Sequence, residues 1–183
     1  MIFYTIALFV ICFAVLVEAV LLTLNVIGLF RANGVPFVPL SKKAIAEVIS
    51  ASNFQPNDLI VDLGCGDGRV LFAFEKAGAA NLLGYEINHW PYILGKVKKH
   101  FKKSKVDLRF QNFFHAELGD VKIIVCYLLP KTLIALREKF DAELKPGSRI
   151  VSFGFEIKNW RTSEIIQTGK EKNAKQNVFV YQM

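Results

Sequence analysis

The chain opens on one long apolar run and then settles into short alternating segments. Residues Ile2–Phe30 are apolar apart from Thr5, Glu18, Thr23 and Asn25. As a helix this stretch is roughly 40 Å long at about 1.5 Å per residue. A bilayer core needs only about 20 apolar residues, so the pattern predicts one tilted membrane span with interfacial ends. Arg31–Leu40 carries Pro36 and Pro39, which break any helix and favour extended backbone. Val35–Pro39 reads as a stiff linker or as a flap over whatever site the next domain holds. Ser41 is placed as the N-cap of a helix through about Ser50, with Ala44, Ile45, Val48 and Ile49 at helical spacing. Leu59–Leu63 is almost wholly apolar, as a central parallel strand covered on both faces must be. Helical and strand patterns then alternate: helix Val70–Lys76, strand Asn81–Tyr85, helix Asn88–His100 with Pro91 in its first turn, strand Val106–Phe110, strand Val121–Tyr127, helix Thr132–Leu144 and strand Arg149–Phe155. Two last strand-like segments, about Glu164–Thr168 and Asn177–Tyr181, predict an antiparallel hairpin. This order predicts an α/β fold with a doubly wound sheet. Its organisation is a membrane anchor over residues 1–31 and a second domain over residues 32–183.

Charge changes the picture at two places. The net charge is +7, yet no Lys or Arg and one acid, Glu18, lie in Met1–Phe30. Arg31, Lys42 and Lys43 follow the span, and the positive-inside rule then puts the body of the protein in the cytoplasm, single-pass. A cleaved signal peptide fits less well, because the run is too long and lacks a basic n-region and an A-x-A-like site. Glu18 lies mid-span, where an ionised acid is costly. It stays neutral or meets a helix partner for structural reasons, or it engages a membrane-embedded partner or substrate. The basic remainder could face anionic lipid, nucleic acid or an acidic protein. Lys96, Lys98, Lys99, Lys102, Lys103 and Lys105 read as a solvated surface. Cys12, Cys65 and Cys126 are far apart with no C-x-x-C, so neither a disulfide framework nor a zinc site is indicated, and no metal is expected.

The chemistry concentrates at Leu59–Val70. An apolar strand ends in Asp62, Gly64, Gly66 and Gly68 follow at alternate positions, and a helix begins. Glycines let the backbone approach a ligand closely, and the next helix offers unpaired amides. The spacing is G-x-G-x-G, whereas a dinucleotide turn reads G-x-G-x-x-G. Glu86 ends the following strand, one βαβ unit later, where an acid can accept hydrogen bonds from two ribose hydroxyls. After the third strand, Asn112 and Phe113 can cup an adenine by hydrogen bonding and stacking, although Phe113 fits core packing equally.

These residues resemble motif I of class I S-adenosylmethionine (SAM)-dependent methyltransferases, with Glu86 as the ribose acid and Leu144–Val151 as the turn and strand after the fourth helix. More narrowly, the chain is similar to the membrane-anchored protein-lysine methyltransferases of mitochondrial ATP synthase c-subunit and adenine nucleotide translocase, and to their prokaryotic relatives. Val35-Pro-Phe-Val-Pro39, Val61–Val70, Gly84–Trp90 and Phe155…Asn159-Trp160 recur in the expected order. The resemblance implies a Rossmann-like seven-stranded sheet, SAM as cofactor and a membrane-associated protein substrate. It implies that Gly64, Cys65, Gly66 and Gly68 pack against the methionine part of SAM, that Asp62 positions its ammonium, and that Glu86, Asn112 and Phe113 hold the adenosine. Phe114, Tyr127 and Trp160 are the candidates for an aromatic wall at the acceptor, with no dedicated base; His89, His100 and His115 read as structural, Asp67 and Arg69 as loop-organising. Asn112-Phe-Phe-His115 stands where the family tends to have an acid followed by Leu-Trp-Lys. Tyr127–Pro130 does not match the [DN]-P-P-[YF] signature of enzymes that methylate nucleic-acid bases, which speaks against nucleic acid as partner. A lipid or quinone-like acceptor, and a SAM-binding membrane module without catalysis, are the alternatives.

Overall fold

The computed structural model describes residues 2–31, 37–160, 164–167 and 177–183. The apolar run forms a single helix, α1 (Ile2–Arg31), whose Ile2–Val20 stretch is long and apolar enough to cross a membrane. The predicted cap is present at α2 (Lys42–Ser52), where Ser41 Oγ accepts from the Ala44 N–H at 3.2 Å. The helix buries Ala44, Ile45, Val48 and Ala51. At its far end the Arg149 guanidinium donates to the Ala51 carbonyl at 3.1 Å, a cation at the negative end of the helix.

Five parallel strands follow, β1 (Leu59–Leu63), β2 (Asn81–Glu86), β3 (Asp107–Phe110), β4 (Ile123–Cys126) and β5 (Arg149–Phe153). Between them run α3 (Arg69–Lys76), α4 (His89–Lys102) and α5 (Pro130–Glu143), and a 3-10 turn lies at Phe113–His115. A final strand, β7 (Asn177–Gln182), is antiparallel to β5. The order across the sheet is β3-β2-β1-β4-β5-β7, and the short segment β6 (Glu164–Gln167) pairs antiparallel outside β7. The Rossmann-like sheet and its C-terminal antiparallel pair thus match the expectation; the predicted connection around Gly169 lies outside the described residues.

Strand alternation sorts the core into two layers. Ile60 joins Leu71, Phe74 and Val48 on one face; Val61 and Leu63 join Leu133, Leu136 and Phe140 on the other. Each such side chain contributes roughly 1.5–3 kcal/mol by leaving water. The fold positions the site through its topology. From β1 the sheet grows one way through β2 and β3, and the other way through β4 and β5. That reversal opens a crevice at the carboxyl ends of β1 and β4, where open α/β sheets take their ligands.

Candidate active site

Asp62 is the fourth residue of β1, and the chain turns at once into the glycine loop. Gly64, Gly66 and Gly68 all have φ between 56° and 82°, the left-handed region that glycine enters without strain. Gly64 and Cys65 anchor the turn by donating to the Tyr85 carbonyl at 2.9 and 3.0 Å. The Cys65 side chain is buried beneath the loop, so close to Gly84 that a Cβ there would lie 2.7 Å from its Sγ. Burial pushes the Cys65 thiol well above its ordinary range, so it serves as packing rather than as a thiolate.

Glu86 locks the loop to the next strand. Its Oε2 accepts from the Gly66 N–H at 2.8 Å, and its Oε1 accepts from Ile87 and Asn88 at 2.9 and 2.7 Å. Asn88 in turn caps α4 through the Trp90 N–H at 3.2 Å. Burial raises the Glu86 carboxyl above its ordinary range, against the three amides that lower it. Asp62 is raised further, to about 8, by burial first and then by the nearby Glu86 and Asp67 charges. None of the ion pairs among the described residues reaches either acid. Two buried acids that no described cation pairs form a site that a positively charged ligand would complete.

Asp67 behaves oppositely. It is fully buried, and its carboxylate takes Arg69 at 2.7 Å and also Lys98 from α4. These partners outweigh burial and lower it to about 2. The loop-organising reading of Asp67 and Arg69 fits this geometry. Lys98, placed by its lysine-rich surroundings among solvated groups, is instead this buried acid's second partner. Replacing Asp67 with Ala strands both cations and is expected to cost up to about 3 kcal/mol, read as a lower urea midpoint with unchanged m.

The cavity above the loop measures about 210 Å³. Asp62, Gly64 and Glu86 line its floor, and Asn112, Phe113 and Phe114 one wall. Asn112 Oδ1 is engaged by the Phe114 N–H at 3.0 Å, which leaves its amide NH₂ as the group able to meet a base edge. Tyr127, directly after β4, also lines the cavity and stacks on Phe155 with ring centres 6.2 Å apart and 15° between planes. Gly154, at φ 80°, brings the chain against the Tyr127 ring, where a Cβ would sit 3.0 Å away.

One expected wall residue is elsewhere. Trp160 packs on Phe140 and Tyr181, with ring centres 5.8 and 5.6 Å apart, inside the second core layer and outside the cavity lining. The cause is the turn after β5: Gly154 and Asn159 both take positive φ, and Ile157 is buried and bonded to the Tyr181 hydroxyl at 2.7 Å. The turn therefore delivers Phe155 to the cavity and Trp160 to the core. The connector also does more than link. Val35 and Pro36 lie outside the described residues, but Phe37, Val38, Pro39 and Leu40 line the cavity. The Phe37 ring lies on Gly66, where any Cβ would come within 2.3 Å of it. Arg69 fixes this segment by donating to the Leu40 carbonyl at 3.2 Å.

A strand-end acid, a glycine loop, a second acid one βαβ unit on and an antiparallel last strand define a class I SAM-dependent methyltransferase. The fold agrees with that of an RNA methyltransferase from Salinibacter ruber solved with S-adenosyl-L-homocysteine, at TM-score 0.72 and 23% identity over 79% of this chain and 93% of that one. Residues 62–164 match the model of the ANTKMT methyltransferase domain family. The chain is 30% identical to a protein-lysine N-methyltransferase of Saccharolobus islandicus over 80% of its own length and 92% of that protein's. It is also 30% identical to the mouse adenine nucleotide translocase lysine N-methyltransferase over 75% of its length, and 25% identical to the human lysine N-methyltransferase of the ATP synthase c-subunit over 73%. It spans 61% and 58% of those two mammalian proteins. The chain belongs to the ANTKMT methyltransferase domain family and is a SAM-dependent methyltransferase.

Proposed function

We propose that this is a membrane-anchored enzyme that methylates lysine side chains of a protein at or in the membrane. The observation that carries the proposal is continuity: the segment leaving the apolar helix α1 becomes, at Phe37–Leu40, part of the active-site wall. The names of the relatives support a lysine acceptor, and the basic residues after the span support a cytoplasmic catalytic domain.

The residues present fit SAM, which supplies the methyl carbon when bound. Asp62 provides the negative charge its ammonium requires, Glu86 an acceptor on Oε2 for a ribose hydroxyl, and Asn112 with Phe113 a polar edge and a ring for its adenine. Gly64 keeps the backbone clear of a side chain where the methionine part passes, whereas Gly66 lies under the Phe37 ring and Gly68 faces Phe72 and Leu108, outside the cavity lining. On the acceptor side, Tyr127 and Phe155 with Phe114 make a wall that excludes water. A lysine amine is ordinarily protonated, with a pKa near 10.4. An apolar wall favours its neutral, nucleophilic form by desolvation, while the ring faces accommodate the cation on either side of the transfer. Alignment in a dry site is then the chief contribution of the protein.

The test is transfer of labelled methyl from SAM to native membranes, followed by separation of protein from lipid. Label recovered as methyl-lysine after acid hydrolysis is the expected result; label in the lipid extract overturns the lysine reading. The flap yields a second expectation. Phe37→Ala removes the ring that covers Gly66 and should weaken SAM binding about tenfold, roughly the worth of part of a buried aromatic ring. The SAM KM should rise with little change in kcat, and an unchanged KM would return Phe37 to a mere connector. For Glu18, exposed on α1, a partner-binding role predicts that Glu18→Gln leaves membrane insertion intact but lowers methylation of the membrane protein several-fold. Unchanged methylation would leave Glu18 a structural residue.

A further inference from the structure

Helix α4 buries Pro91 and Gly95 against the body of the protein and leaves its opposite face uncovered. That face is a continuous apolar stripe. Trp90, Ile93, Val97 and Phe101 recur three or four residues apart and are 37%, 44%, 46% and 80% exposed. A soluble surface tolerates such residues singly, but a stripe of four marks a docking surface. Its flanks are strongly basic. From Asn88 to Lys105 the chain has six lysines and no acid. Of these six lysines, Lys98 is the one in an ion pair among the described residues. Lys96, Lys102, Lys103 and Lys105 are exposed. Finally, the apolar helix α1 lies in contact with α4.

We propose that α4 lies flat on the membrane, with Trp90, Ile93, Val97 and Phe101 seated among the headgroups and the flanking lysines against anionic lipid. The inference rests on the reading of α1 as a membrane span and adds a second point of attachment. Three features choose lipid over a protein partner. A basic helix with an aromatic and aliphatic stripe is the composition of interfacial helices. Trp is the residue that favours the headgroup level. The contact with α1 places α4 beside the membrane span. Two attachments also fix the orientation of the domain. Asn88 caps α4 and lines the cavity, so a flat α4 sets the cavity edge at headgroup depth. An acceptor amine just outside the bilayer then reaches the active site without the domain tilting.

The test uses the full chain carrying Trp160→Phe, which leaves Trp90 as its one tryptophan. The protein is reconstituted into phosphatidylcholine vesicles with and without phosphatidylglycerol, each made with chain-brominated lipid as quencher. Trp90 emission should shift to the blue and be quenched about twofold more strongly when anionic lipid is present. The difference should vanish in high salt and in Lys96→Glu/Lys102→Glu/Lys103→Glu, whose SAM affinity stays at the parent value. Equal emission in both vesicles, or a difference between them that survives the charge reversal, overturns the proposal. So does quenching that requires an added membrane protein. Failure of the anchor reading looks different, because the parent chain would then wash off vesicles in alkaline carbonate.

Discussion

Glu86→Ala is expected to weaken SAM binding at least a hundredfold, about 2.7 kcal/mol. The effect has two sources that add. The carboxylate has one acceptor site left, on Oε2, and a ribose hydroxyl there makes a charge-assisted hydrogen bond worth about 1.5–3 kcal/mol. The same carboxylate already accepts from Gly66, Ile87 and Asn88, and these amides lose their acceptor together. The glycine loop and the start of α4 are therefore released from each other even before any ligand is considered. Glu86→Gln separates the two sources. Its one carbonyl oxygen can serve Ile87 and Asn88, but its NH₂ must then face the Gly66 N–H. That variant should keep most of its thermal stability yet lose SAM affinity by tenfold or more. Calorimetric titration with SAM, alongside thermal unfolding followed by circular dichroism, reads both quantities. Wild-type affinity in Glu86→Ala would remove Glu86 from the cofactor site.

Much of this site is legible in the sequence because its logic is local. The apolar Leu59–Leu63 has to be a central strand, and glycines at alternate positions have to be a turn. One βαβ unit fixes the distance from Asp62 to Glu86, and parallel pairing of β1 with β2 aligns their ends. Ser41 announces its helix by a capping preference that operates within three residues. The less legible features depend on contacts between distant segments. Nothing in a proline-rich connector signals that the Phe37 ring will cover Gly66. Lys98 is one lysine among six, and only the packing of α4 across Asp67 distinguishes it. Phe155 and Trp160 both follow the last parallel strand and carry similar aromatic bulk. Which one reaches the cavity is decided by positive φ at Gly154 and Asn159 and by the buried Ile157 between them. Such a turn leaves no periodic trace. The signal that could have selected Phe155 is its place directly after a glycine at a strand end, which lets the chain hug Tyr127.

Asp62 should make both stability and cofactor binding depend on pH, in opposite directions. Its folded carboxyl titrates at about 8 against an ordinary value of 3.8, because it is buried beside Glu86 and no described cation pairs with it. Between those values the folded apoprotein holds a proton that the unfolded chain has released. Stability from this source is fully present below the ordinary value and is lost as pH rises through about 8. The slope is at most about 1.4 kcal/mol per pH unit for one proton. Asp62→Asn imitates the neutral form, so the variant should be more stable than the parent at neutral pH and lose that dependence. SAM reverses the preference. A cationic ammonium favours the ionised carboxylate, so binding at pH 7 should release about one proton, and affinity should rise up to about tenfold per pH unit until the carboxyl has titrated. The count survives if the proton resides on Glu86, because the two acids share one buried site and either must ionise to meet the ligand. Titration calorimetry in phosphate and in Tris at pH 7 reads the proton directly, as the change of observed heat with buffer ionisation heat. Asp62→Asn should lose both the proton release and most of the affinity while remaining folded. Buffer-independent heat in the parent would mean that Asp62 is already ionised, and that its partner is something other than the methyl donor.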